Sequence, residues 1–123
     1  MQNQNSKIKT ELKYRAYRYS IDVIEFIDKL PKDTSTSVIS KQLLRSATSI
    51  GANIVEAKGA SSKRDFANFF THALKSANES LYWFGLLRDA KKIKNSRIEY
   101  LIKETQELAN ILGSSILTLK GKR

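Results

Sequence analysis

SIGANIVEAKGASSKRDFANFF, residues 49–70, is the stretch on which the fold turns. Ile50, Ile54 and Ala57 recur at the spacing of one helix face, and Phe66, Phe69 and Phe70 resume it after a break of glycine and serine. Two amphipathic helices joined by a short polar turn form a helical hairpin. Gly59 is read as the stop of the first helix. Ser61 or Ser62 caps the second, with Asp65 in the first turn, where a carboxylate complements the helix dipole. Asn53 and Glu56 are the residues an ordinary core helix would not carry. With Gln42, Ser46 and Ser49 they form a polar edge, matched by Ser76 and Ser80 on the following helix. A solvated flank is the plain reading. A hydrogen-bonded seam between helices or subunits is favoured, because Asn53 stands close enough to the core to need a partner.

The same periodicity extends in both directions. Upstream, Ile8, Leu12, Ala16, Tyr19, Val23, Phe26, Ile27 and Leu30 make one stripe, and Pro31 ends that helix because the residue before proline avoids the helical region. The link KDTSTS follows, with Thr36 or Ser37 as cap of the helix that carries Ile39, Leu43 and Ala47. Downstream of Phe66 the stripe continues through Ala73, Ala77, Leu81, Phe84 and Leu87. After KKIKNS, Asn95 or Ser96 caps a last helix that carries Ile98, Leu101, Leu108, Leu112 and Ile116. One proline and five glycines in 123 residues leave little to break long helices. The expected fold is all-α, an antiparallel up-down-up-down four-helix bundle, as one domain over residues 1–123. Residues 1–7 are expected to be flexible and residues 120–123 to form a basic tail.

Composition narrows the chemistry. With no cysteine there is no disulfide, thiol nucleophile or zinc–thiolate site, which fits a reducing cytoplasm. No apolar run reaches the ~20 residues a membrane span needs, so no membrane partner is expected. His72, the one histidine, lacks the spacing of a metal motif and reads as a surface or interface residue. Glu56 and Glu79 are the only carboxylates worth weighing for acid–base work, and a structural or interface role outweighs it. The glycines are isolated, so no phosphate loop is present. No enzyme, cofactor or metal is expected.

Two helices carry apolar residues that a bundle core does not use: Tyr14, Tyr17, Ile21 and Ile24 on the first, and Trp83 and Leu86 on the third, with Tyr82 and His72 near them. These read as an oligomer interface, since contiguous apolar surface marks association.

QLLRSATSIGANIVEAKGASSKRDFANFFTHALKSANES, residues 42–80, resembles the signature of the four-helix-bundle proteins encoded in intervening sequences of 23S rRNA. Gln42, Leu43, Arg45, Ser49, Ile50, Asn53, Ile54 and Glu56 match its second helix, and Ser62, Lys63, Asp65 and Phe66 open its third. Ala16 and Pro31 also fit. Ala57 stands where that family usually has glycine, Lys13 where an aromatic is common, and Ser46 and Val55 where alanines are. The resemblance implies a ring, typically a homopentamer, with no catalytic residues. It also implies kinship with the accessory protein of diversity-generating retroelements, a basic ring that binds a reverse transcriptase and nucleic acid.

The chain carries 22 basic and 12 acidic residues, a net charge of +10, which favours polyanions. Bundle topology gathers much of this at one pole. The first helix brings Lys7, Lys9, Lys13, Arg15 and Arg18 there. The turn after the second brings Lys58, Lys63 and Arg64, and the tail brings Lys120, Lys122 and Arg123. Against Glu11, Glu56 and Asp65 these eleven leave +8 of the +10. The opposite pole holds Arg88, Lys91, Lys92, Lys94 and Arg97, partly offset by Asp22, Glu25, Asp28 and Asp33. The expected function is non-enzymatic: a homo-oligomeric ring that binds RNA or DNA through phosphate contacts at its basic poles. The alternative is a scaffold ring that docks a partner protein such as a nucleic-acid enzyme. On sequence, the aromatic residues belong to the apolar stripes and do not interleave with the charges.

Overall fold

A computed structural model of the chain describes residues 4–121, with side chains from residue 11 onward. Four helices follow one another: α1 Gln4–Asp28, α2 Thr34–Ala57, α3 Lys63–Asp89 and α4 Ser96–Leu119. Each packs on its neighbours in sequence, and α4 closes on α1, so the bundle is antiparallel as the periodicity requires. α1 begins at Gln4, ahead of Ile8. Of the segment expected to be flexible, residues 4–7 are helical and residues 1–3 lie outside the described residues.

The apolar stripes meet at the centre. Tyr19, Leu43, Ile50, Phe84, Leu101 and Leu112 are fully buried. Each such large side chain contributes roughly 1.5–3 kcal/mol by leaving water. Phe26 and Phe84 meet across the core, ring centroids 5.9 Å apart. Ala47, Ala73 and Ala77 are also buried, and these small side chains let α2 and α3 approach closely.

Helix ends follow local chemistry with three departures from the sequence reading. Ser62 accepts from the Asp65 N–H (3.0 Å) and Asn95 from the Ile98 N–H (2.9 Å), as caps. α2 is entered earlier than expected. Asp33, not Thr36 or Ser37, is its N-cap residue, and Thr36 is already helical and buried. Gly59 is not a left-handed stop. α2 ends at Ala57, and Lys58, Gly59 and Ala60 donate to Val55, Glu56 and Ala57 in a tightened 3₁₀-like exit. Between α3 and α4 the left-handed residue is Lys92, at φ 61°. It turns the chain so that the Ile93 N–H reaches the Leu87 carbonyl (3.0 Å), and Ile93 packs against the core.

α1 is fastened to α4 by polar contacts. The buried Tyr19 hydroxyl lies 2.6 Å from Thr105 Oγ1, and burial pushes the phenol well above its ordinary range. Arg15 donates twice to Glu104, each bond 2.7 Å, and lies 3.4 Å from Glu107. The bond to Glu104 raises the guanidinium pKa further.

Candidate nucleic-acid interface

Antiparallel topology places the start of α1, the α2–α3 turn and the end of α4 at one pole. The eleven cations assigned there divide into three groups. Arg15 is committed to the fold through Glu104 and Glu107, and Arg18 lies toward the other pole, 3.8 Å from the buried Asp22 that Arg97 also approaches. That removes them from the free charge expected of them. Lys13, Lys58, Lys63, Arg64 and Lys120 have no ion-pair partner among the described residues. All but the half-buried Lys13 are exposed. Lys7 and Lys9 belong to α1 but their side chains lie outside the described ones, as do Lys122 and Arg123 altogether.

The local folding of the turn sets its three cations free. Asp65, beside Lys63 and Arg64 in the sequence, accepts from the Ser61 N–H (3.2 Å) and Oγ (3.4 Å), so its carboxylate is held back over the cap. Lys63 and Arg64 occupy the first turn of α3, with no counter-ion among the described residues.

The opposite pole is different. Lys91 pairs with Asp33 at 2.7 Å, fastening the α3–α4 link to the α1–α2 link and holding the Asp33 carboxyl below its usual range. Arg97 lies 3.3 Å from Asp22, and Arg88 2.8 Å from Asp89. Lys92 donates to the Asp89 carbonyl. Of the acids expected to offset this pole, Asp22 and Asp33 do so by direct ion pairs and Glu25 and Asp28 make none, and Lys29, Lys32, Lys92 and Lys94 have no ion-pair partner among the described residues.

Hydroxyl groups join α2 to α3, and Asn53 and Glu56 make no bond across that interface. Ser46 and Ser80 hydroxyls meet at 2.8 Å in the α2–α3 interface, and Ser76 donates to Ser49 at 3.0 Å. Asn53 is satisfied within its own helix, donating to the Ser49 carbonyl (2.9 Å) and Oγ (3.0 Å), and so joins the seam through Ser49. Glu56 is exposed and makes no seam contact. Glu79 accepts from Arg45 and from the Trp83 indole N–H (2.9 Å). Trp83, read from sequence as exposed, is half-buried against the core. Tyr82 is the exposed ring, set edge-on to it at 5.0 Å.

The apolar residues of α1 also divide. Tyr14 and Tyr17, 72% and 67% exposed, stand over a groove of about 750 Å³ between α1 and α2. Gly51, Ala52 and Val55 line it from α2, and Lys13 and Lys58 stand at it too. The fold thus brings Lys58 to Lys13, Tyr14 and Tyr17 of α1, a meeting that sequence reasoning missed because Lys58 comes from the far end of α2. Ile21 is half-buried and Ile24 is exposed, and neither lines the groove. Leu86 is half-buried on α3.

Among the described residues no group of three histidines, cysteines or carboxylates could hold a metal ion. No helix among them is long and apolar enough to cross a membrane.

The profile of the 23S rRNA-intervening sequence protein family matches residues 9–114. The chain belongs to that family. A crystal structure of a protein of unknown function from the S23 ribosomal protein family of Bacteroides thetaiotaomicron has the same fold, with a TM-score of 0.79. It is 37% identical, over 85% of this chain and 97% of that one. No curated protein matches the sequence.

Proposed function

We propose that this family member is a non-enzymatic, cytoplasmic homo-oligomer that binds nucleic acid at the pole formed by the α2–α3 turn. The observation that supports this most is the free charge gathered on one turn. Lys58, Lys63 and Arg64 are exposed without counter-ions among the described residues, while at the other pole Arg88, Lys91 and Arg97 are paired and Lys29, Lys32, Lys92 and Lys94 make no ion pair. Free cations displace counter-ions from phosphates and paired ones do not, and at the α2–α3 turn no cation is held by an ion pair among the described residues.

Self-association multiplies this field. The ring, a homopentamer on family resemblance, uses apolar surface that the bundle leaves exposed or half-covered: Ile21 and Ile24 on α1, Trp83 and Leu86 on α3. Tyr14 and Tyr17 end the same α1 stripe and receive a different assignment below. Ile21→Asp should yield folded monomers.

The test is salt-dependent binding to an RNA duplex, read by fluorescence anisotropy. Replacing Lys58, Lys63 and Arg64 together by glutamine should flatten the slope of log affinity against log salt by roughly 2–3. Replacing Arg88 and Lys91 should leave it unchanged. Equal effects from both sets would overturn the assignment. The second reading, a scaffold that docks a protein, draws on Tyr82 and Trp83. Their Glu79–Arg45 support holds an aromatic ridge ready for a partner.

A further inference from the structure

Tyr14 and Tyr17 lie one turn apart on α1, so their rings share a face. The bundle core does not use them. The groove beneath has a volume typical of a small-ligand site. Gly51 and Ala52 line it from α2, and Gly51 faces Ala16 of α1, where an added Cβ would make ordinary contact at 3.5 Å with the Ala16 Cβ. These small residues add little bulk to the groove wall. The Ser20 and Thr48 hydroxyls in the groove are spent on their own helices, donating to Ala16 (3.1 Å) and Leu44 (2.7 Å). Two cations and one anion remain: Lys13 and Lys58, unpaired among the described residues, and Glu56.

We infer that this groove holds an unpaired nucleotide of a single-stranded nucleic acid. The base stacks on Tyr14 and Tyr17, the flanking phosphates meet Lys13 and Lys58, and Glu56 accepts from an exocyclic amino group. This rests on the nucleic-acid reading above and extends it from phosphate contact to base contact. Aromatic rings beside a cationic track are how single strands are held without duplex geometry. Glu56 repels phosphate but matches the amino edge of adenine or cytosine, which uracil lacks. An amphipathic peptide helix suits the site less well, because its long apolar face would need Ile21 and Ile24, which lie outside the groove.

The test uses the full chain and labelled oligo(A), oligo(C) and oligo(U) of about 12 nucleotides. Oligo(A) and oligo(C) should bind more tightly than oligo(U), and Glu56→Gln should abolish that preference. Tyr17→Ala should weaken binding about tenfold at unchanged salt slope, because stacking is lost and no phosphate contact is. Tyr17→Phe should keep affinity within about twofold, because the ring remains. Lys58→Gln should lower the slope by about 0.7. Both tyrosines are exposed and alanine favours helix, so the variants stay folded, as circular dichroism will confirm. If the wild type binds no oligonucleotide at low salt, the nucleic-acid reading itself fails. If it binds and Tyr17→Ala changes nothing, the groove assignment alone is overturned. If Tyr14→Ala with Tyr17→Ala lowers the assembly mass by light scattering and leaves affinity unchanged, a second copy occupies the groove instead, and the inference is wrong.

Discussion

Replacing Arg15 with glutamine separates cations that hold the bundle from cations that hold a ligand. The Arg15 guanidinium makes two 2.7 Å bonds to Glu104 across the α1–α4 seam. The side chains are 37% and 12% exposed. Hydrogen bonds to charged groups contribute about 1.5–3 kcal/mol, and losing one partner of a fully buried pair costs about 3–5 kcal/mol. Arg15 is too solvated for the upper figure, so screening brings the expected loss to about 2 kcal/mol. At this chain length that lowers Tm by roughly 7 °C. Glutamine keeps much of the stem packing, so the loss belongs to the charge and its fork of donors. Because Glu104 raises the arginine pKa, Arg15 stays charged below the unfolded arginine's pKa, and its own titration removes none of the contribution in the working pH range. Thermal melts of Arg15→Gln, Glu104→Gln and the double variant should show a coupling of about 1–2 kcal/mol. Duplex RNA affinity and its salt slope should match the wild type. An unchanged Tm together with a flattened salt slope would show that Arg15 faces phosphate, and the division of cations drawn here would be wrong.

Three further outcomes follow from single contacts. Lys92→Gly should raise stability by about 1 kcal/mol, because glycine occupies the left-handed region without the Cβ penalty; denaturant melts with unchanged slope and a higher midpoint would confirm it. Tyr19→Phe should cost about 1 kcal/mol at neutral pH by removing the bond to Thr105. Burial raises the folded Tyr19 pKa, so that stabilisation is complete below the ordinary value of 10.0 and drains away as pH rises above it. The phenylalanine variant should therefore lose less stability between neutral and alkaline pH. Gly113→Ala should stabilise α4 by about 1 kcal/mol, since nothing lies within 4 Å of the added methyl; an unchanged or lower Tm would contradict the open space at that position.

Fold was legible where information is local. Helix number, core stripes and the Ser62 and Asn95 caps come from spacing and from side chains that bond a few residues away. Boundaries set by backbone geometry were not. Thr36 looks like a cap in KDTSTS, but packing turns it inward and leaves the position to Asp33. Gly59 looks like a stop, yet the left-handed residues are Gly121 after α4 and Lys92 between α3 and α4, and no composition rule favours the lysine. The site was half legible. Net charge and topology brought Lys58, Lys63 and Arg64 to one pole. The pairing of Arg15 with Glu104, 89 residues away, depends on the rotation of two helices about their axes and leaves no mark in a single sequence. The meeting of Tyr14 and Tyr17 with Lys58 depends on the α1–α2 contact in the same way.

Absolute mass by light scattering, at low and high salt, with and without a structured RNA, tests most directly that this bundle assembles and binds nucleic acid. A multiple of the 14.0 kDa chain at both salts, shifted upward by RNA only at low salt, is the predicted result. A monomer of 14.0 kDa, indifferent to RNA at low salt, would contradict it.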